Sequence, residues 1–284
     1  MKIYISVDME GLPGVTSWEH VDERNKKYAH KILTEVVEWL VDEIKRSEKN
    51  EEITNITIAD SHNFGENIPY DITYIDERIE LISGYPRRNY MMPDMKGDED
   101  VVFFIGYHAG VGALHGILDH SYSSTVIHSV YINEKKINET LLNAIYAGTK
   151  GVPVGLIMGD EALRREIIDS GEMSWVEFVV TKQGLGRFSA RHRSKKKVEE
   201  DLRRAVSNVL NRLGKIPLYR IDPPYKLRIV FQTSGFADLA QLIPHVDRKD
   251  GRTVEFTSDD FEVILNTLHA ITAIAYTGVN SGRR

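Results

Sequence analysis

Acidic and imidazole side chains follow three apolar segments in the first part of this chain. The segments are KIYISVDMEG, NITIADSHN and DVVFFIGYHAG, and each contains a run of apolar, largely β-branched or aromatic residues. Asp8 and Glu10 end the first segment, Asp60 and His62 the second, and His108 the third. Carboxylate oxygens and imidazole nitrogens are the donors that zinc and manganese accept in proteins. The sequence therefore indicates a metal centre.

Residues so far apart in the sequence meet only if their segments are neighbouring strands. In a parallel α/β sheet, the carboxyl ends of the strands form the edge where ligands bind. Alternating strands and helices predict βαβ crossovers and a mostly parallel sheet. The predicted strands cover residues 2–8, 55–60, 77–84, 101–107, 128–133 and 152–158, and the predicted helices residues 25–48, 138–150 and 160–170.

The pattern changes after about residue 171, where a basic segment rich in glycine and arginine interrupts the strands and helices. We predict that the segment KQGLGRFSARHRSKKK is a solvated basic loop. The other predicted elements are strands at 175–182, 226–232 and in RTVEFTS, and helices at 195–213, in FADLAQLI and at 259–276. The expected organisation is an α/β metal-binding catalytic domain over residues 1–171 and a smaller α+β domain over residues 172–284.

The composition limits the possible classes of protein. With 284 residues, 42% of them hydrophobic and 27% charged, the chain is typical of a globular protein. A formal net charge of −6 argues against a nucleic-acid partner and gives no polybasic signal for membranes. The chain has no cysteine, so its metal ligands must be nitrogen and oxygen donors. We expect a cytoplasmic location, because no signal peptide or membrane span is recognisable.

Each candidate ligand also has a purely structural interpretation. Asp8 and Glu10 suit the N-terminal cap of the helix that follows, and the Asp-Ser-His sequence at 60–62 also suits a helix N-terminus. His108 fits a buried, hydrogen-bonded imidazole, and Glu139 suits the dipole at the start of its helix. The joint placement of several donors at one sheet edge favours the metal centre over these separate explanations.

Three further histidines follow the third segment. His120 lies in the sequence LDHSYS, where Asp119 could orient its ring. An imidazole beside a metal-bound substrate can act as general base or as nucleophile, which makes His120 the candidate catalytic residue. His115 and His128 are interpreted as surface histidines.

The chain resembles the DppA-like D-aminopeptidases of the dipeptide-transport operon over nearly its whole length. The segments that carry the resemblance are MKIYISVDMEG, ADSHN, LISG, FFIGYHA, DHSYS, YINEKKINETLLNA and VPVGLIMGD. Two positions depart from the family pattern. Asp119 replaces the serine that precedes the catalytic histidine in that family, and Asn138 replaces the glycine that precedes its glutamate.

The resemblance implies a two-zinc enzyme whose metal ligands fall on Asp8, Glu10, His62, His108 and Glu139. It places the catalytic histidine on His120. It also implies a Rossmann-like domain with a smaller α+β domain, and assembly into a homo-oligomeric, decameric ring.

These observations lead us to expect a metal-dependent aminopeptidase. Its substrate would be a short peptide, and the resemblance extends this to peptides whose N-terminal residue has the D configuration. Two alternatives remain open at this point. One is another metallo-amidase or phosphoesterase on the same frame, and the other is a non-catalytic peptide-binding protein linked to transport.

Overall fold

A computed structural model describes residues 1–22 and 28–280 of the chain. Residues 25–27 of the predicted helix 25–48 lie outside this description. Within the two described stretches, no helix has both the length and the apolar composition of a membrane span. The strands are β1 (Lys2–Val7), β2 (Asn55–Asp60), β3 (Ile79–Ile82), β4 (Val101–Tyr107), β5 (Ile127–Ile132), β6 (Lys135–Lys136), β7 (Val154–Gly159), β8 (Glu177–Val180), β9 (Lys182–Gly186), β10 (Ser189–His192), β11 (Tyr225–Phe231), β12 (Asp247–Arg248) and β13 (Thr253–Ser258). The helices are α1 (Trp18–Val21), α2 (Ala29–Arg46), α3 (Glu139–Thr149), α4 (Glu161–Arg164), α5 (Lys195–Asn211), α6 (Ser234–Ala240) and α7 (Phe261–Tyr276).

The first sheet has six strands in the order β3-β2-β1-β4-β7-β8, and every neighbouring pair is parallel. Its two faces are covered by different helices. On one face Ile3 and Ile5 of β1 share a buried core with residues of α2 and α5. On the other face Tyr4 packs in a core with residues of α3. This division follows from the strand period, because successive side chains of a strand point to opposite faces.

The strand order reverses at the centre of this sheet. The chain winds outward from β1 through β2 to β3, and then returns to place β4 on the other side of β1. This is the order of a Rossmann-type sheet, in which ligands bind beyond the carboxyl ends of the strands where the winding reverses. The predicted α/β fold is confirmed, and its binding crevice lies between β1 and β4.

The second sheet is antiparallel and has the order β12-β13-β11-β5-β6. Helices α6 and α7 contact each other and this sheet. The predicted smaller α+β part is therefore present, but the strands do not divide at residue 171. Strand β5 precedes that residue and belongs to the second sheet, whereas β8 follows it and completes the first sheet. The ranges 1–171 and 172–284 stay a prediction about folding units.

The basic segment KQGLGRFSARHRSKKK is not a solvated loop, and that prediction is wrong. Strands β9 and β10 form an antiparallel hairpin within it, and α5 begins at Lys195. The hairpin packs closely against the loop that precedes His120. A Cβ atom added to Gly184 would lie 1.9 Å from the carbonyl oxygen of His115. The exposed basic residues of β10 hide the strand pattern in the sequence.

Candidate metal centre

The chain leaves β1 through a loop that lies against the end of β4. The amide of Asp8 donates to the carbonyl of Ile105 at 2.7 Å, and that of Gly11 donates to Gly106 at 2.7 Å. A Cβ atom on Gly11 would lie 1.9 Å from the Tyr107 carbonyl oxygen, so this approach requires glycine. The contact buries the carboxylates of Asp8 and Glu10 beside β4.

The end of β4 is shaped by a second glycine. Gly106 has a φ of +79°, and an added Cβ would lie 2.1 Å from the Asp8 carbonyl oxygen. The pairing of β4 with β7 shifts register at this point. The chain then presents His108 to the crevice, where its Nε2 lies 3.6 Å from Oδ2 of Asp8.

The remaining two predicted ligands come from the loop after β2 and from α3. Nε2 of His62 lies 3.4 Å from Oε1 of Glu10. Glu139 is in the first turn of α3, and its Oε1 lies 3.5 Å from Nε2 of His108. The structure therefore brings all five predicted ligands into one cluster. Glu139 lies at the N-terminus of α3, where its charge suits the helix dipole, and its carboxylate also faces this cluster.

Asn138 precedes Glu139 at the position where the family that the chain resembles has glycine, and its side chain forms two hydrogen bonds. Its side-chain oxygen accepts a hydrogen bond of 2.8 Å from the Leu141 amide and caps α3. Its amide nitrogen donates to Glu166 at 2.8 Å. Asn138 therefore stabilises the helix that carries the ligand.

The donor atoms of the cluster fit a metal. Nδ1 of His108 donates to the Ala109 carbonyl at 2.9 Å, and its Nε2 therefore carries a lone pair towards the carboxylates. This Nε2 and the buried atoms Oδ2 of Asp8 and Oε2 of Glu10 have no hydrogen-bond partner in the described part of the chain. Buried acceptors that face one another without donors are costly, and a divalent cation removes that cost.

The pKa values show the excess of negative charge in this cluster. Burial, together with the neighbouring Glu10 carboxylate, raises the pKa of Asp8 well above its ordinary value. Burial opposes the charge on His62, but Glu10 outweighs it and raises the pKa of His62 to about 9. Against the same opposition from burial, Glu139 raises the pKa of His108. Either protons or a metal cation must compensate these carboxylates.

His120 lies at the edge of the cluster with one nitrogen facing it. Its Nδ1 donates to the Leu118 carbonyl at 2.8 Å, which leaves Nε2 as an acceptor 3.9 Å from Oε1 of Glu139. The ring stacks on His108 with a centroid distance of 4.2 Å and meets the ring of Trp18 edge-on at 5.2 Å. The imidazole is thus held in one orientation, with an available lone pair directed at the site.

The expectation that Asp119 orients this ring is wrong. The carboxylate of Asp119 accepts a 2.5 Å hydrogen bond from the Gly112 amide and pairs with Arg187 at 3.0 Å. These contacts stabilise the loop before His120. The ring itself is oriented by its hydrogen bond to the Leu118 carbonyl.

Asp60 is also not directed at the cluster. Its carboxylate accepts hydrogen bonds from the backbone and side chain of Asn67, at 2.6 and 2.8 Å, and from the Ile68 amide at 2.9 Å. It therefore orders the loop that carries His62. His115 and His128 are exposed, as predicted.

Lys182, a fully buried lysine behind the site, was not among the predicted site residues. Its Nζ donates to the carbonyls of Glu10, Leu12 and Val15 at 2.5, 2.8 and 2.7 Å. Thr181 supports the same loop by donating to the Gly11 carbonyl at 2.6 Å. Asp8 was selected as a polar residue at the carboxyl end of an apolar strand. The same criterion selects Thr181 and Lys182, because both follow the apolar strand β8 at the same edge of the sheet.

A polar network beneath the cluster was also missed. The Tyr107 hydroxyl contacts Oγ of Ser6 at 2.7 Å and accepts from the Asn143 side chain at 3.0 Å. These residues belong to β4, β1 and α3, the elements that carry His108, Asp8 and Glu139. The network therefore fixes three ligand-bearing elements relative to one another.

The cluster opens into a cavity of about 580 Å³. Asp8, Glu10, His62, His120 and Glu139 contribute to its lining, so a molecule in the cavity contacts the candidate ligands and the candidate base together. Such a site can polarise a carbonyl group through a metal and exchange a proton through His120.

Comparison with known proteins agrees with this geometry. The family model described as D-aminopeptidase, peptidase M55, matches residues 1–270. A D-aminopeptidase of Bacillus subtilis (strain 168) is 30% identical over 279 residues, which cover 97% of this chain and 98% of the relative. A solved structure, the Zn-dependent D-aminopeptidase DppA from Bacillus subtilis, described as a self-compartmentalizing protease, superposes with a TM-score of 0.88 at 28% identity, covering 97% of this chain and 98% of its own. The chain belongs to the D-aminopeptidase family, peptidase M55.

Proposed function

We propose that this protein is a zinc-dependent aminopeptidase that removes an N-terminal D-residue from short peptides. The observation that carries the proposal is the cluster of buried, unpartnered oxygen and nitrogen donors at the reversal of the parallel sheet. Its relatives add the metal and the substrate class, since they are described as D-aminopeptidases and one of them as Zn-dependent.

In this proposal Asp8, Glu10, His62, His108 and Glu139 would hold two zinc ions. Glu10 and His62 would be ligands on one side of Asp8, and His108 and Glu139 would be ligands on the other. The contacts of 3.4 Å between His62 and Glu10 and of 3.5 Å between His108 and Glu139 support this grouping.

The division of labour follows from the chemistry of the groups. When bound, the metals supply Lewis-acid polarisation of the scissile carbonyl and activation of water near neutral pH. His120 accepts a proton at Nε2 and returns it to the leaving amine, while Leu118 holds its other nitrogen. The surrounding carboxylates attract the cationic α-amino group of a peptide, which fixes cleavage after the first residue.

The test is a set of paired peptides offered to the zinc-loaded protein. Dipeptides and tripeptides beginning with D-Ala or L-Ala are compared with their N-acetylated forms. We expect cleavage of the free D-peptides and none of the acetylated ones, because acetylation removes the charge of the amino group. Equal rates on free and blocked peptides would favour a general amidase. If metal-loaded protein cleaves no peptide, the function is peptide binding instead.

We further propose that the chain assembles into a closed homo-oligomer, with the decameric ring as the specific form, and acts in the cytoplasm. The support is the relative described as a self-compartmentalizing protease. Light scattering should give a mass near ten times the chain mass of 32.4 kDa. An assembled enzyme should cleave short peptides and spare a folded protein, whereas a monomer of full activity would contradict the ring.

A further inference from the structure

The metal-centre cavity continues into a second cavity lined mainly by aromatic rings. The second cavity has a volume of about 330 Å³. Six residues line both cavities, namely Asn63, Phe64, Tyr90, Tyr122, Ser123 and Tyr276. We refer to its rings as the aromatic shelf, which consists of Phe64, Tyr85, Tyr90, Tyr122, His269 and Tyr276.

The shelf is built from the segments that carry the catalytic candidates. Phe64 lies two residues after His62, and Tyr122 lies two residues after His120. The Tyr122 amide also donates to Oε1 of Glu139 at 2.6 Å. A molecule fixed at the metal centre therefore reaches the shelf with its next group, since an extended peptide advances by about 3.3 Å per residue.

The rings support one another and form a preorganised surface. Tyr90 packs on Tyr122 at a centroid distance of 5.3 Å and on His269 at 4.5 Å. Phe64 meets Tyr85 edge-on at 5.4 Å. Rings held in this way bury a ligand without losing much conformational freedom of their own.

The outer part of the shelf is open to a ligand. Tyr85 and Tyr276 expose 43% and 56% of their surface, although both are large aromatic residues. Clustered exposed apolar groups beside a functional cavity are typical of binding surfaces. In the described part of the chain, the buried Tyr122 hydroxyl also has no hydrogen-bond partner, so it is available to a ligand.

The charge of the shelf restricts the ligand further. Among the described residues that line the second cavity there is no carboxylate, lysine or arginine. Burial, aided by the nearby Arg87, lowers the pKa of His269 and keeps it neutral near pH 7. The shelf therefore suits an uncharged side chain and disfavours an acidic or basic one, which would lose hydration without gaining a partner.

We propose that the aromatic shelf is the subsite for the residue that follows the scissile bond, and that it selects aromatic or large apolar side chains there. The proposal rests on the proposed aminopeptidase function. The N-terminal residue ends the chain at the carboxylates, so the rest of the peptide must leave the metal centre across a neighbouring surface. The half-exposed shelf provides that surface.

The experiment compares zinc-loaded enzyme on D-Ala-Phe amide, D-Ala-Ala amide and D-Ala-Glu amide, with the second residue in both configurations. We expect kcat/KM for the better Phe peptide to exceed that of the matching Ala peptide by roughly tenfold, mainly through KM, because binding outside the reacting bond is uniform. The Glu peptide should be poorer than the Ala peptide.

Two variants locate the preference. Phe64→Ala and Tyr276→Ala should each reduce the Phe-to-Ala ratio to within about threefold. Tyr74→Ala removes a tyrosine that is 94% exposed on another part of the surface and should preserve the ratio. Light scattering measures the molecular mass of each variant alongside its kinetics.

The possible failures are separable. A Phe-to-Ala ratio near one in the unmodified enzyme, or an unchanged ratio in both shelf variants, would overturn the subsite and leave the aminopeptidase intact. A changed molecular mass in the shelf variants, with the ratio preserved, would make the shelf a contact between subunits. Failure to cleave any peptide would overturn the proposed function itself, and the subsite with it.

Discussion

At the scale of single residues, the direction of a nitrogen lone pair separates the histidines of this chain. His108 and His120 each donate through Nδ1 to a backbone carbonyl, which directs the other nitrogen at the carboxylate cluster. The sequence pointed to both residues for different reasons. His108 follows the apolar strand β4 in a loop rich in glycine, whereas His120 lies in the polar segment LDHSYS and matches the catalytic histidine of the family that the chain resembles. The sequence could not identify the carbonyl partners, since any residue supplies a backbone carbonyl. For this reason Asp119 was expected to orient His120.

Replacing His120 by alanine should separate catalysis from metal binding. We expect turnover of a D-Ala dipeptide to fall by at least roughly 100-fold, because the proton acceptor is lost. Zinc content, measured on protein reconstituted with metal, should not change. His128→Ala is the matched control, because His128 is exposed and lies outside the cluster.

The position of Nε2 of His120 means that the same variant also tests whether this residue binds metal. Donor atoms of His120, His108 and Glu139 lie within 4.8 Å of one another, a spacing that would also suit a ligand. Loss of zinc in His120→Ala would therefore assign this residue to the metal, and near-normal turnover would remove it from the mechanism.

At the scale of secondary-structure elements, the parallel strands were predictable and the hairpin was not. Strands β1, β2, β4 and β7 are largely buried runs that read clearly in the sequence. The hairpin β9–β10 mixes glycine with exposed basic residues, a pattern typical of a loop. Consequently Lys182 was taken as part of a basic loop, although it is completely buried.

Replacing Lys182 by methionine should destabilise the loop that carries Glu10. Methionine preserves volume but leaves the carbonyls of Glu10 and Val15 without their lysine donor, whereas the Leu12 carbonyl still accepts from the Val15 amide. Each buried unsatisfied group costs about 1–3 kcal/mol, so we expect the free energy of unfolding to fall by at least about 2 kcal/mol. Denaturant titration measures this loss, and zinc analysis should show weaker retention of metal.

Lys196→Met provides the control, because it makes the same substitution at an exposed lysine of α5. A loss below about 1 kcal/mol in Lys182→Met, with zinc retained, would mean that water replaces the ammonium group and that the loop does not depend on it.

At the scale of the whole molecule, the site depends on how the two sheets share one chain. After β4 the chain enters the second sheet as β5 and β6, and only then returns as α3, which carries Glu139. The sequence predicted a strand at 128–133, but its partner β11 lies about a hundred residues further along. Pairing over such a distance leaves no local signal, which is why the second sheet was expected only after residue 171.

The proposed ligands lie both before and after strands β5 and β6 in the chain. Zinc that binds all of them should therefore stabilise the whole fold. Zinc at 100 times its dissociation constant adds about 2.7 kcal/mol for one site, which corresponds to a rise in Tm of roughly 4–5 °C in a chain of this size. Thermal unfolding of chelator-treated protein, with and without added zinc, measures the rise. Asp8→Asn should show a much smaller zinc-induced shift, because the side chain of this proposed ligand then has one oxygen fewer and no charge. An equal shift in Asp8→Asn would remove Asp8 from the ligand set, and an unchanged Tm in the unmodified protein would refute a metal centre that joins these elements.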